Sequence, residues 1–425
     1  MDFFAQLDQQ TLPELHYPGV QRAHGLKAAL FREYLKRFNN KLASFKPLAL
    51  VNGLPAYDLT QAPLYSEANQ RVLEMGASFH LLKRPARPIS AVIAITHACH
   101  CDCMHCSARD YMKSGRKALR HEQLIDLFDQ ALAMGAASIV LTGGEPTLYP
   151  RLLDLVAHVP RDKAAVSMFT NGARLDRAFA GELRAAGLNA ALVSVDGPDP
   201  ESHDRYRRHP GSFAETTRAI EALLEAGSLV GISSYVSHEG VSAGLFDRML
   251  QLTTERGAHQ LFLFDAVPSG AMRDDELRHL LTLQDRDYLR RRTMEVNATP
   301  GGPGVMGQSW INSPDGFGCF AGFYQCYVSA SGDVCPCDFT PVTFGNLADE
   351  RLETIWDRMR GSDEWGQQAR HCRMQDACFR ARSVDLVPPG EPLPVRWERL
   401  LELREKSTAV ASSAPCACHD SESAA

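Results

Sequence analysis

Short apolar runs alternate with longer amphipathic segments between residues 89 and 270. The runs predict strands at 91–96, 137–142, 164–170, 191–196, 229–236 and 260–266. The segments between them carry apolar residues at helical spacing, such as Leu124, Leu127 and Phe128, and predict helices at 124–135, 151–158, 176–187, 213–226 and 243–256. Because strands that alternate with helices are typical of parallel βαβ units, the pattern predicts an α/β fold, a (β/α)6 partial TIM barrel over residues 89–270.

The regions on either side of the predicted barrel follow other patterns. Residues 1–88 show helical spacing interrupted by prolines and predict a helical N-terminal cap without recognisable chemistry. Residues 271–316 predict a helix at about 274–296 and a glycine-rich linker at 301–307. Residues 317–385 predict a small cysteine-rich α+β domain, and residues 386–425 a C-terminal helix followed by a small, polar, mobile tail.

Composition and charge narrow the class of protein. The formal net charge of -6 gives no electrostatic case for binding nucleic acid. No run of 18 apolar residues predicts a membrane span, and the N-terminus lacks the layout of a signal peptide. We therefore expect a cytoplasmic protein whose twelve cysteines serve as metal ligands rather than disulfides. They fall into three groups: four at Cys99 to Cys106, six at Cys319 to Cys378, and two at Cys416 and Cys418.

The first cysteine group follows the first predicted strand. Cys99, Cys103 and Cys106 form C-x3-C-x2-C. Iron–sulfur clusters are normally held by four thiolates, so three on one loop can hold three irons of a [4Fe–4S] cube and leave the fourth open. An open iron can chelate the amino and carboxylate groups of S-adenosylmethionine (SAM) and deliver one electron to its sulfonium, releasing a 5'-deoxyadenosyl radical. On spacing alone a zinc site remains an alternative, because zinc takes four N or S ligands and further cysteine and histidine side chains lie in the same loop.

Three further motifs follow predicted strands. Gly143, Gly144 and Glu145 begin the sequence GGEP, where paired glycines allow a ligand to approach the backbone and the glutamate offers an acceptor for an ammonium group. Asn171 lies in TNG after the third strand, and Ser194 and Asp196 end the fourth. Each motif alone is compatible with an ordinary turn, and Asp196 could cap one with the following glycine. The carboxyl ends of barrel strands open on one face, so all four signals converge on one cavity, which a zinc module does not predict.

With these motifs in order, residues 89–266 resemble the radical SAM superfamily. Its signature is C-x3-C-x2-C with an aromatic residue before the last cysteine, a position held here by His105. The resemblance implies a SAM-binding [4Fe–4S] cluster on the three cysteines, with Cys101 as a bystander thiol. It also implies that the cofactor SAM is bound by residues of the other motifs: Gly143, Gly144, Glu145, Asn171, Ser194 and Asp196.

The second cysteine group resembles the auxiliary-cluster extension called SPASM. Cys319 is followed by twelve residues, Gly332, four residues and Cys337, and the glycine suits a hairpin turn that brings the two cysteines together. A full extension would hold two clusters, but Ala369 and Arg382 occupy two of its cysteine positions. The truncated form, called twitch, holds one auxiliary [4Fe–4S] cluster, for which we predict the ligands Cys319, Cys337, Cys372 and Cys378. Cys326 and Cys335 are the possible substitutes, and a zinc ribbon is the alternative to a cluster.

The resemblance implies an enzyme that cleaves SAM reductively and abstracts hydrogen from a substrate C–H bond, with the auxiliary cluster relaying electrons. The substrate is not readable from the motifs. Residues 1–88 lack the three-strand element of the winged-helix leader-binding domain of many peptide-modifying relatives, which favours net oxidation or rearrangement of a small metabolite. A maturase that modifies a peptide or protein side chain is the alternative, and a zinc-stabilised non-enzymatic binding protein the remote one. Expected partners are the substrate and an electron donor such as flavodoxin or ferredoxin, with no nucleic acid and no membrane.

Overall fold

The architecture is that of a computed structural model, which describes residues 45–112, 115–273, 279–313 and 315–410, together with Tyr34, Lys36, Phe38 and Leu42. Three expectations fall wholly or partly outside these residues. They are most of the first half of the helical N-terminal cap, residues 274–278 of the helix predicted at about 274–296, and the tail that carries Cys416 and Cys418. The predicted helix begins later than expected, at Leu283, because Thr282 caps its first turn.

The described chain alternates strands and helices along most of its length. The strands are β1 Ala49–Val51, β2 Leu54–Ala56, β3 Ser90–Ala94, β4 Ser138–Thr142, β5 Ala165–Thr170, β6 Ala190–Ser194, β7 Leu229–Val236, β8 Gln260–Asp265, β9 Gly304–Gly307, β10 Gln325–Val328, β11 Val334–Cys335, β12 Val342–Thr343 and β13 Val395–Arg396. The helices are α1 Glu67–Leu82, α2 Arg109–Met112, α3 His121–Met134, α4 Leu152–His158, α5 Arg177–Ala186, α6 Pro200–Arg207, α7 Ser212–Glu225, α8 His238–Ser242, α9 Leu245–Glu255, α10 Leu283–Ala298, α11 Gln308–Ile311, α12 Leu352–Arg360, α13 Ala377–Ala381 and α14 Trp397–Val410. Within the described ranges, none of these helices combines the length and apolarity needed to cross a membrane.

The central feature is a nine-stranded sheet in the order β11-β10-β3-β4-β5-β6-β7-β8-β9. All neighbours pair in parallel except β10 and β11, which form an antiparallel hairpin. The six predicted strands are present as β3 to β8, and the predicted α/β class is confirmed. Their carboxyl ends all point to one face of the sheet, so the loops that follow them meet there.

The helices between the strands bury the faces that their spacing predicts. In α3, Leu124, Leu127 and Phe128 have no exposed surface and belong to the largest apolar cluster of the barrel. The predicted stop of this helix at Gly135 is confirmed, since that residue adopts a φ of 107° and its N–H bonds back to the last turn. Burial of these side chains fixes the register of each helix against the sheet and so fixes where each strand delivers its final residues.

Two segments differ from the sequence-based predictions because tertiary contacts override local composition. Residues 304–307, interpreted as part of a glycine-rich linker, form the buried edge strand β9, where a Cβ on Gly304 would lie 2.3 Å from Leu48 Cδ2. The glycine is needed for this close packing rather than for flexibility. Likewise β10, in the predicted cysteine-rich domain, pairs directly with β3, with Gln325 opposite Ser90. The C-terminal region therefore extends the barrel sheet.

The described part of the N-terminal region is not wholly helical. Before α1, strands β1 and β2 pair antiparallel around a turn at Asn52 (φ 52°) and Gly53 (φ 80°). Asn-Gly between two apolar runs is a strong hairpin signal, so the sequence contained the information that the helical interpretation missed. The segment after this hairpin crosses the amino ends of the barrel strands, where Leu59 N–H donates to Gln260 Oε1 at 3.2 Å. It closes the barrel at the end opposite the cysteine loop.

Candidate active site

A cavity of about 350 Å³ runs through the barrel and is lined by both cysteine groups. At one end it reaches Thr60 and Gln61 of the N-terminal segment, and at the other the loop that carries Cys99, Cys103 and Cys106. The cysteines of the C-terminal region that line it are Cys319, Cys337 and Cys372. All six predicted SAM-binding residues also line it: Gly143, Gly144, Glu145, Asn171, Ser194 and Asp196. The convergence predicted from the strand ends is therefore present in the structure.

The glycine pair after β4 packs against the start of the cysteine loop. A Cβ on Gly143 would lie 2.4 Å from Thr96 O, and one on Gly144 would lie 2.2 Å from Ala98 O. Two backbone hydrogen bonds tie the segments together, from Gly144 N to Thr96 O at 2.8 Å and from Glu145 N to Ala98 O at 2.7 Å. The glycines thus permit close approach, but the nearest approaching group is the backbone of the cysteine loop.

Glu145 is a buried acceptor at the centre of the site. Its Oε1 accepts hydrogen bonds from Thr147 N at 3.0 Å, Thr147 Oγ1 at 2.7 Å and Thr170 Oγ1 at 2.6 Å. Its Oε2 accepts from Asn171 N at 2.7 Å and retains a free lone pair. The carboxylate therefore joins the ends of β4 and β5 and still offers one oxygen toward a ligand in the cavity.

We expect Glu145→Ala to weaken SAM binding by about 10- to 100-fold, since a charge-assisted hydrogen bond contributes roughly 1.5–3 kcal/mol. Iron content should be unchanged, because the glutamate is not a cluster ligand. The measurement is a SAM titration of the reconstituted variant. Glu182→Ala, which removes an exposed glutamate from α5, is the matched control. A wild-type binding constant in Glu145→Ala would assign the carboxylate to the fold alone.

Asn171 and Ser194 stand on the cavity wall with local partners. Asn171 Oδ1 accepts from Ala173 N at 3.1 Å, and its Nδ2 lies 3.7 Å from Cys101 Sγ. Ser194 Oγ accepts a hydrogen bond from Ser233 Oγ at 3.3 Å. These weak or single contacts leave both side chains able to bind a ligand, and their contact with SAM stays a prediction.

Asp196 has a different environment from the turn cap or SAM contact that its sequence suggested. Its side chain is 2% exposed and forms an ion pair with Arg207 Nε at 2.7 Å. The same oxygen lies 3.3 Å from His105 Nε2, and the other accepts from Tyr235 N at 3.0 Å. Although burial opposes ionisation, the Arg207 and His105 charges hold the pKa of Asp196 well below its usual range. Both oxygens are engaged by the protein, and a direct contact with SAM stays a prediction.

The cysteine loop places Cys101 between two predicted ligands. A hydrogen bond from the Cys101 thiol lowers the pKa of Cys103 to about 5, and nearby Arg207 acts in the same direction. The pKa of Cys99 is also lowered, chiefly by Cys101, whereas burial raises that of Cys106 to about 11. Thiolates are the metal-binding form of cysteine, and because Cys101 has one proton to donate, it favours the thiolate of one of these two predicted ligands at a time.

The cysteine sulfurs of the described residues are not gathered closely enough to bind a single zinc ion together. In the part of the chain that the structure describes, no three cysteine sulfurs lie within 4.8 Å of one another. Four thiolates around one zinc, at Zn–S distances of ~2.3 Å, would stand only about 3.8 Å apart. In a [4Fe–4S] cube each cysteine binds a different iron, so its sulfurs are more widely spaced. The residues present therefore fit the predicted cluster.

Three of the four predicted auxiliary ligands meet at the cavity. Burial raises the pKa of Cys337 and Cys372, and the charge of nearby Cys319 adds to both shifts, which indicates that the three sulfurs are neighbours. Such buried thiolates are costly without a cation, and a metal centre supplies one. Cys378 lies in α13 and is not among the residues that line the cavity. The N–H of Cys319 donates to the carbonyl oxygen of Ala369 at 2.8 Å. Ala369 occupies a position at which a two-cluster extension has a cysteine.

The two possible substitutes have other surroundings. Cys326 and Cys335 have no exposed surface and belong to apolar clusters around β10 and β11. The predicted hairpin turn between these strands is present, with Gly332 at a φ of 86°.

Next to Cys337, the Asp338 side chain also lines the cavity, and burial raises its pKa to about 6. This carboxyl group can exchange a proton near neutral pH, and no motif in the sequence points to it.

Comparison with known families agrees with this geometry. The model for the radical SAM superfamily matches residues 93–253. The SPASM model, described as an iron–sulfur cluster-binding domain, matches residues 319–380. The first match contains the first cysteine loop and the barrel from the end of β3 to β7, and the second match contains the second cysteine group. Together they imply a SAM-binding [4Fe–4S] cluster, auxiliary cluster binding and SAM as cofactor.

Individual relatives share most of the chain. An AdoMet-dependent heme synthase of Oleidesulfovibrio alaskensis is 26% identical over 325 residues, covering 70% of this chain and 83% of the relative. The PqqA peptide cyclase of Xanthomonas campestris pv. campestris is 27% identical over 339 residues, covering 72% and 88%. Among solved structures, Streptococcus suis SuiB bound to the precursor peptide SuiA superposes with a TM-score of 0.53 at 14% identity, covering 70% of each chain. At 14% identity, the similarity to SuiB shows a shared fold and no more.

Proposed function

This chain is a radical SAM enzyme with a C-terminal SPASM domain, and we propose that it matures a peptide by modifying one of its side chains. The loaded site would cleave SAM reductively and supply a 5'-deoxyadenosyl radical that removes hydrogen from the substrate. The proposal departs from the small metabolite favoured by the N-terminal sequence pattern, and most of the first 44 residues of that region lie outside the described chain.

The observation that carries the proposal is the size and position of the cavity. Its volume of about 350 Å³ is near the lower end of the range for sites that enclose a small molecule. When the site is loaded, SAM and both clusters would share this space, so only a small part of a substrate, such as one side chain, is expected to enter it. A peptide can insert a single side chain while its backbone remains outside.

The cavity wall suits such a side chain. Phe169, Phe262, Phe264, Phe320 and Phe339 line it, together with polar side chains such as Asp265 and Gln308. Aromatic walls bury apolar carbon and exclude water, which protects a carbon radical from side reactions. Asp338 lines the cavity beside Cys337 and so places a carboxyl group near the second cysteine group. Net oxidation of the substrate, for which an auxiliary cluster would accept the released electron, is the favoured outcome.

Relatives supply support for two candidate substrates. The similarity to a PqqA peptide cyclase supports a peptide. The similarity to heme synthases, three of which match at 26% identity, supports an iron porphyrin as the second candidate. Flavodoxin or ferredoxin remains the proposed electron donor in either case.

The test compares both substrate classes on the reconstituted enzyme. Synthetic peptides from the short reading frames beside its gene and, separately, an iron porphyrin are incubated with SAM and dithionite under anaerobic conditions. We expect one peptide to lose hydrogen by mass spectrometry in step with release of 5'-deoxyadenosine, and the variant lacking Cys99, Cys103 and Cys106 to do neither. Turnover of the porphyrin with every peptide unchanged would overturn the proposal in favour of the second candidate.

A further inference from the structure

Arg207 reaches the cysteine loop from the end of α6. Its side chain is 11% exposed, and its Nε forms the ion pair with Asp196 at 2.7 Å. Its Nη1 donates toward Cys103 Sγ at 3.6 Å, within the longer range of hydrogen bonds to sulfur. One buried guanidinium thus spans a carboxylate and a predicted cluster ligand, and its planar fork permits both contacts at once.

Asp196, the partner of the guanidinium, is held from several sides. Asp196 N–H donates to His203 Nδ1 at 3.1 Å, so α6 is tied to the end of β6 at two points. The His105 ring stacks on the Tyr235 ring, with centroids 4.8 Å apart, and approaches Asp196 from the cysteine loop. Tyr235 N–H completes the arrangement from β7. Three elements, α6, the cysteine loop and β7, therefore fix Asp196, which in turn fixes the direction of Arg207.

An ion pair alone does not account for this placement. Burying a charged pair carries a desolvation cost that its mutual attraction often only balances, so such pairs are weak evidence for stability. The contact with Cys103 brings a positive charge and an N–H donor to a sulfur of the iron-binding loop. Hydrogen bonds to the sulfurs and local charge are the means by which proteins adjust the reduction potential of iron–sulfur clusters.

We propose that Arg207 is a positioning residue that raises the reduction potential of the SAM-binding cluster through Cys103, with Asp196 and His105 holding its guanidinium in place. The proposal rests on the assignment of Cys103 as a cluster ligand and is independent of the substrate. Reduction adds one electron, and hence one negative charge, next to the guanidinium. A fixed positive charge stabilises that state more than the oxidised one, so a weaker external electron donor suffices.

The test measures a potential in the full-length reconstituted enzyme. Redox titration is followed by electron paramagnetic resonance, and the signal that changes when SAM is added identifies the SAM-binding cluster. In Arg207→Gln we expect the equilibrium constant for one-electron reduction by the titrant to fall about tenfold or more, a shift of about 59 mV to lower potential. The auxiliary signal should keep its potential and serves as the internal reference.

Arg208→Gln is the matched control. It removes the same charge from the next residue, whose half-exposed side chain pairs with exposed Asp102 at 3.3 Å, so solvent screens its effect. Its potential should equal that of the wild type. If Arg207→Gln does not fold, Arg207→Lys replaces it. Lysine keeps the charge near Asp196 but lacks the fork, so a smaller shift in the same direction is expected.

If the Arg207 variant that folds has the same reduction potential as Arg208→Gln, the proposal is overturned. Arg207 would then be a structural partner of Asp196 only. The result is separable from the proposed function. A peptide that fails to react leaves the measured potential unaffected, and an unchanged potential leaves peptide turnover to be judged on its own.

Discussion

Changing Cys99, Cys103 and Cys106 together to alanine is expected to abolish the release of 5'-deoxyadenosine in the presence of dithionite. The three sulfurs line the cavity and are the predicted iron ligands of the loop, so their loss removes the site at which SAM would be bound and reduced. Release should fall to the level seen without enzyme.

The fold should survive this triple change because the loop serves the site rather than the core. The apolar cluster of the barrel is built from side chains of the strands and surrounding helices and contains none of the three cysteines. Unaltered far-ultraviolet circular dichroism is the expected control measurement. Cys101→Ser is the matched variant: it changes a cysteine of the same loop, and the bystander interpretation predicts that cleavage is retained. Wild-type release in the triple variant would contradict the cluster assignment.

Much of the fold was predictable because its determinants are local. The apolar runs that become β3 to β8 are short, branched and separated by amphipathic segments, and the largest apolar cluster contains the predicted face of α3. The convergence of Glu145 and Asn171 on one cavity also followed, since each directly follows a strand of a parallel sheet. In this class of fold, residues that follow the parallel strands lie close together in space although they are far apart in the sequence.

The remainder depends on contacts between residues distant in sequence. Nothing in the local composition of 304–307 or 325–328 shows that these short segments pair with β8 and β3, since pairing is decided by the partner strand. The contact between Arg207 and Cys103 spans 104 positions and requires the geometry of α6. Asp338 directly follows Cys337 in the sequence, but only its position in the cavity distinguishes it from an ordinary acidic residue.

The iron content of the reconstituted chain should be about eight atoms, because each [4Fe–4S] cube requires four irons and its own thiolates. The first loop supplies ligands for one cube, and the second group supplies Cys319, Cys337 and Cys372 at the cavity for another. The variant that lacks the three loop cysteines should retain about four irons, and so should a variant with alanine at these three C-terminal positions. Cys326→Ala, which changes a cysteine buried in the apolar core, should keep all eight and is the matched control.

Truncation after residue 410 tests whether a third cluster exists. A second auxiliary cube would need ligands at positions that Ala369 and Arg382 occupy, and Ala369 instead uses its carbonyl to accept a hydrogen bond from Cys319 N. Cys416 and Cys418 lie outside the described residues, and the mobile tail that the sequence predicts for them would have to become ordered to supply ligands, at a cost of about 1–2 kcal/mol per residue. The truncated chain should therefore hold as much iron as the intact one. About twelve irons in the intact chain, falling to eight on truncation, would contradict the assignment of one auxiliary cluster. About four irons in the intact chain would mean that the C-terminal cysteines hold no cluster.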